Sequence, residues 1–77
     1  MTNVLVYLLV VYEDRTSEPV IEVKADFEKM EKDEDYRQDI YEKINNKYRS
    51  EKKGILDIDV LGFERKEAHR VPGNLSK

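Results

Sequence analysis

The residues whose types and spacing come nearest to supporting chemistry are two carboxylates, Asp57 and Asp59. On a β-strand, residues two apart point to the same side and lie about 6.8 Å apart. A pair at that spacing suits a metal ion or acid–base chemistry. No catalytic partner is identifiable beside it, however, and charges on an exposed sheet face also discourage wrong strand pairing. We therefore predict an exposed pair, with no catalytic residue, no metal site and no cofactor.

The other polar clusters fit structural roles better than catalytic ones. Residues 33–35, Asp-Glu-Asp, lack the glycine and the spacing of an EF-hand, and they suit the positive end of a helix dipole. His69 lies in a predicted tail beside Arg70, where a solvated side chain is a simpler interpretation than a nucleophilic triad. The absence of cysteine excludes disulfides and thiolate metal sites. We predict that the protein is not an enzyme.

Basic residues in the second half of the chain raise the question of nucleic-acid binding. Residues 13–42 hold twelve acidic and five basic side chains, whereas residues 43–77 hold nine basic and five acidic ones. Binding needs several cations on one surface, but helical spacing puts Lys43 and Arg49 on different sides. With a pI near 5.2, nucleic acid is the alternative partner only. Its predicted contacts are Lys52, Lys53, Arg65, Lys66 and Arg70.

The elements that position these residues begin with an apolar run. Residues 4–12 are all apolar or aromatic, in a chain in which 40% of residues are charged. Because successive side chains of a strand point to opposite faces, such a strand is buried on both faces. The run has no basic residues before it and no cleavage site after it, and it is too short to span a membrane. We predict a cytoplasmic protein with no membrane partner.

Two further segments show the alternation of half-buried strands. In residues 20–24, Ile21 and Val23 share one face. In residues 55–63, Leu56, Ile58 and Val60 share one face, while Ile55, Asp57, Asp59, Leu61 and Phe63 share the other. The polar connection of residues 13–19, which ends in a proline, joins the first two strands as a hairpin too long for a tight turn.

One clear helix is predicted to start at Asp33 and to end at Gly54. Its apolar and aromatic residues fall in a stripe about 140° wide at 100° per residue, made of Tyr36, Ile40, Tyr41, Ile44 and Tyr48. Residues 25–32 fit either a loop or a first helical turn.

The order β-β-α-β predicts an α+β fold. The most apolar strand takes the centre of a three-stranded sheet of order 2-1-3, and the helix packs on one face. Residues 1–66 form a single domain, and residues 67–77 are predicted to be a poorly ordered tail.

One helix covers one face of a sheet, so the second apolar face of the central strand needs a partner. An apolar centre with a charged border is typical of protein contact surfaces. We predict a protein-interaction module, a small regulator or inhibitor, that binds a protein partner or forms a homodimer. An acidic helix that imitates a nucleic-acid backbone is a variant, and the size and character also fit an accessory protein of a phage or mobile element. The predicted interface residues are Val4, Val6, Tyr7, Leu8, Tyr12, Glu22, Lys24, Ile55, Asp57, Asp59, Leu61 and Phe63.

Overall fold

The computed structural model describes residues 1–66. The elements in chain order are β1 (Thr2–Tyr12), β2 (Thr16–Ser17), β3 (Val20–Ala25), α1 (Phe27–Lys32), α2 (Glu34–Glu51) and β4 (Ile55–Arg65). The predicted α+β class is confirmed. The predicted tail, residues 67–77, lies outside the described residues.

Strand β1 lies at the centre of the sheet and pairs antiparallel with every other strand. Strand β3 pairs with residues 2–7 of β1 and β2 with residues 10–11, so these two strands share one edge, whereas β4 pairs with residues 4–12 along the other edge. The predicted order is confirmed, with β3 and β4 as the two flanking strands. The two-residue β2 was not predicted. It forms where the connection returns, with the Tyr12 N–H donating to the Arg15 carbonyl at 2.7 Å.

The hydrophobic core lies between the helices and one face of this sheet. Four even-numbered residues of β1 are fully buried there, namely Val4, Val6, Leu8 and Val10. Met30 of α1 and Ile44 of α2 complete the buried cluster, together with Ala25. Burial of every second residue follows directly from the alternation of side chains along a strand.

Two aspartates organise the helices. Asp26 caps α1, its carboxylate accepting from the Lys29 N–H, and Asp33 caps α2 in the same way from the Tyr36 N–H at 3.1 Å. Residues 25–32 therefore include a short helix, which settles the choice left open by the sequence. The predicted helical stripe is confirmed, since all five of its residues pack on the core. Gly54, with φ of +82°, makes the turn into β4.

The predicted faces of β4 are correct only in the middle of the strand. The pairing with β1 shifts by one residue at Leu61 and again at Leu56, each shift being a β-bulge. As a result Ile55 and Phe63 pack on the core with Ile58 and Val60, whereas Leu56 is 62% exposed. The predicted placement of Leu56 on the helix side, and of Ile55 and Phe63 on the other side, was wrong. A one-residue shift transfers side chains to the opposite face.

The helices of residues 1–66 include none that is long and apolar enough to cross a membrane.

Candidate protein-binding face

The second face of the sheet carries the odd-numbered residues of β1. Leu5, Tyr7, Leu9 and Val11 form a central apolar row, each of them only half-buried. None of them belongs to the core or to the side chains packed against it, and no helix or strand of the described chain lies across them. We call the surface centred on this row the uncovered face.

Acidic residues border the row on the β4 side. Cα pairing across the two strands places Asp57 beside Val11 and Asp59 beside Leu9. The prediction that both carboxylates point to one side is confirmed, because no bulge separates them. Both are exposed, and together they give this end of the uncovered face a negative border.

The other end of the uncovered face is closed by polar contacts. Lys66 Nζ lies 3.0 Å from a carboxylate oxygen of Glu22, an ion pair that joins the end of β4 to β3 across β1. Beside it, the Tyr7 hydroxyl donates a hydrogen bond to the Glu64 carboxylate. That bond and partial burial raise the pKa of Tyr7. Leu5 is therefore flanked by an ordered polar network.

Two exposed apolar side chains extend the row near its middle. Val20, paired with Tyr7 on the β3 side, is 49% exposed, and Leu61, at the bulge on the β4 side, is 57% exposed. Together with Leu9 and Val11, these two side chains form the half of the uncovered face that lies away from the polar contacts. Clustered apolar surface with a charged rim is characteristic of protein contact sites.

Several predicted interface residues lie elsewhere. Val4, Val6 and Leu8 are fully buried beneath the helices, so their prediction as interface residues was wrong. The cause is the two-residue period of β1, which puts even and odd residues on opposite faces. Tyr12, Ile55 and Phe63 also pack on the core side. The prediction missed three interface residues that the same two-residue period identifies, namely Leu5, Leu9 and Val11.

The remaining predicted residues do lie at the uncovered face. Tyr7 belongs to its central row, Leu61 lies at the bulge of β4 beside the row, and the paired border residues are Glu22, Lys24, Asp57 and Asp59.

The predicted nucleic-acid contacts do not form one patch. Lys52 and Lys53 precede β4, whereas Arg65 and Lys66 end it, and the 11 residues of this strand span roughly 30 Å at about 3.3 Å per residue. The Arg65 guanidinium lies 4.6 Å from the Phe27 ring centroid on the covered face, and Lys66 is paired with Glu22. Arg70 lies outside the described residues.

The acidic residues of the helices are interleaved with cations. In α1, Lys29 and Lys32 alternate with glutamates, and in α2 the Asp39 carboxylate pairs with Lys43 at 3.3 Å. The helical surface is thus mixed in charge, with no uniform acidic stripe.

No group of three or more His, Cys, Asp or Glu side chains among residues 1–66 is arranged to hold a metal ion. Within this range, the pair Asp57 and Asp59 has no third acidic ligand close enough to complete a metal site.

Comparison with protein-family models, with curated proteins and with solved structures found no significant match.

Proposed function

We propose that this protein is a non-enzymatic interaction module that binds a protein partner, or a second copy of itself, through the uncovered face. One observation carries the proposal. Four even-numbered residues of β1, from Val4 to Val10, are fully buried, while Leu9 and Val11 on the other side of the same strand have no cover from residues 1–66. A role as a cytoplasmic regulator or inhibitor fits such a small binding domain.

Burial of this apolar row supplies the driving force for association. Each Å² of apolar surface removed from water contributes about 25 cal/mol. A 77-residue chain without cysteine has a small core and no covalent cross-link, and association commonly stabilises domains of this kind.

The border of the face indicates the chemistry of the partner. Asp57 and Asp59 flank the open half, so a matching surface has apolar side chains at its centre and basic ones at its rim. A second copy turned end to end also meets this requirement. Its Lys24 and Lys66 lie at the opposite end of the face from the aspartates.

Sedimentation and affinity capture with matched variants test the proposal. Leu9→Thr with Val11→Thr places two β-branched residues, which suit a strand, at these positions and removes apolar surface from the face. Glu31→Thr with Asn46→Thr makes two threonine changes at exposed positions of the helices, on the covered side of the sheet. We expect the wild type to form a dimer at micromolar concentration or to retain a specific protein, and the Leu9 and Val11 double variant to lose that species while the helix variant keeps it.

A wild-type chain that sediments as a monomer and retains no protein contradicts the proposal. So does a dimer or complex that the double variant forms as well as the wild type does.

A further inference from the structure

The outer edge of β4 offers a second place for a partner. Among residues 1–66, β4 pairs with β1 alone, so its other edge has no strand beside it. Alternate residues of such an edge direct their N–H and C=O groups outward, where another chain can pair with them. Between the two bulges, residues 57–60 keep regular pairing with β1. These residues therefore offer a regular backbone with which an added strand can pair.

A groove runs beside this edge, beneath α2. Its volume is about 510 Å³, within the range of roughly 300–1,000 Å³ typical of ligand sites. Ile58 and Val60 form the apolar part of the sheet wall, with Asp59 between them, while the helix wall contributes Gln38, Glu42 and Asn45. An apolar patch facing a few polar groups suits a side chain that inserts from an extended segment.

The two faces of β4 select different side chains in an added strand. Ile58 and Val60 point towards the helices and the groove, and Asp57 and Asp59 point to the opposite face. Neighbouring strands place side chains of the same face next to each other. Apolar side chains therefore fit beside Ile58 and Val60, and basic side chains fit beside the two aspartates.

We propose that the groove between α2 and the outer edge of β4 binds an extended segment of another protein, with alternating apolar and basic side chains, as an additional strand. Main-chain hydrogen bonds to residues 57–60 hold the segment, and the groove and the two carboxylates select its side chains. The site shares only Asp57 and Asp59 with the uncovered face, and it does not depend on the function proposed above.

A designed peptide tests this directly. The probe is the capped hexapeptide Lys-Val-Lys-Val-Lys-Val, added to the full-length isotope-labelled chain and followed by the shifts of backbone amide resonances. We expect changes confined to residues 57–60 and to the groove side of α2. The matched peptide Glu-Val-Glu-Val-Glu-Val has the same backbone pattern with reversed charge, and it should bind at least about tenfold more weakly.

Variants separate the groove from the carboxylates. Gln38→Trp places a large ring at an exposed position of the groove wall and should weaken binding by about tenfold or more. Asn46→Trp makes the same change at an exposed position of α2 outside the groove lining, and should leave binding intact. Asp57→Asn with Asp59→Asn should remove most of the preference for the basic peptide.

Three results would overturn the proposal. They are an absence of shifts at millimolar peptide, shifts centred on Leu5, Leu9 and Val11, and contacts from residues 67–77 to Ile58 in the free protein. The second result places the peptide on the uncovered face, and the third shows the groove filled by the chain itself. Loss of peptide binding in Gln38→Trp leaves the dimer or complex of the uncovered face unaffected, so the two proposals fail separately.

Discussion

At the scale of single residues, the pKa of a tyrosine depends on its position in the fold. Tyr7 lies on the uncovered face, where its hydroxyl is held by Glu64 and its pKa is raised mainly by that hydrogen bond. Partial burial between α2 and the core raises the pKa of Tyr41. Burial first, and then a hydrogen bond with Tyr12, raise the pKa of Tyr48. In all three the folded state favours the neutral phenol.

This linkage predicts a loss of stability at alkaline pH. A pKa raised on folding gives a stabilisation that is complete below the unfolded value, about 10 for tyrosine, and that is lost as pH rises through the folded value. Tyr7→Phe removes one such group, so its free energy of unfolding should fall less than that of the wild type between about pH 8 and pH 11. Urea unfolding at both pH values measures the difference, and equal losses in the two proteins contradict the assignment.

Met30 predicts a larger effect on stability. It is fully buried and is the one buried residue of α1. Met30→Ala leaves a cavity under the helix and should lower the free energy of unfolding by about 2–5 kcal/mol. The adjacent exposed change Glu31→Ala should stay within about 0.5 kcal/mol of wild type. Similar values for the two variants, measured by chemical denaturation, would show that α1 is not anchored by this side chain.

At the scale of elements, the bulges of β4 decide which side chains reach the core. Between them, Asp57, Ile58, Asp59 and Val60 alternate as the sequence pattern predicts. Beyond them the pattern fails, because each bulge inserts one residue without a partner on β1. The residues inserted, Leu56 and Leu61, are as apolar as their neighbours, so composition alone does not reveal the shift.

Deleting a bulge should be tolerated, whereas deleting a paired residue should not. Without Leu61, Val60 and Gly62 become consecutive and pair with Leu8 and Tyr7 without a gap. We expect this variant to unfold cooperatively with native circular dichroism. Deleting Asp59 instead turns Ile58 towards the uncovered face and should disrupt the fold. A folded Asp59 deletion, or an unfolded Leu61 deletion, is inconsistent with the observed register.

The cap of α2 gives a smaller prediction at the same scale. The Asp33 carboxylate accepts from the Tyr36 N–H at 3.1 Å. Asp33→Ala removes the acceptor and should destabilise the protein by about 1 kcal/mol, whereas Asp33→Asn retains an oxygen at the same position and should cost less. Thermal or urea unfolding of the pair checks this. An alanine variant as stable as the asparagine variant would show that the cap is unimportant.

At the scale of the whole molecule, residues 1–66 form two layers, with the helices on one face of the sheet and the half-buried apolar row of β1 on the other face. The central strand, the α2 stripe and the existence of a second apolar face were predictable, because each follows from hydrophobic periodicity over many residues. The two-residue strand β2 was not, since Thr16 and Ser17 carry no strand pattern and pair only because the connection returns to Val10 and Val11.

The positions of residues at the candidate site were predictable where the two-residue period of a strand is unbroken, and not where a bulge interrupts it. Tyr7, Glu22 and Asp59 were placed correctly, because the two-residue period runs unbroken through their segments. Phe63 was misplaced because a bulge precedes it. The groove beside β4 was not predicted at all, since it depends on where α2 crosses the sheet, which periodicity does not specify.

We propose that Leu9 and Val11, on the odd-numbered side of β1, contact a partner, whereas the even-numbered side packs beneath the helices. Methyl NMR of the full-length chain with a soluble paramagnetic agent is the sharpest test of this difference. For the dilute monomer we predict strong broadening of the Leu9 and Val11 methyls, with Leu8 and Val10 shielded, and protection of Leu9 and Val11 once a dimer or complex forms. Shielding of Leu9 and Val11 in a monodisperse monomer would contradict the account, because the chain would then cover both sides of its own central strand.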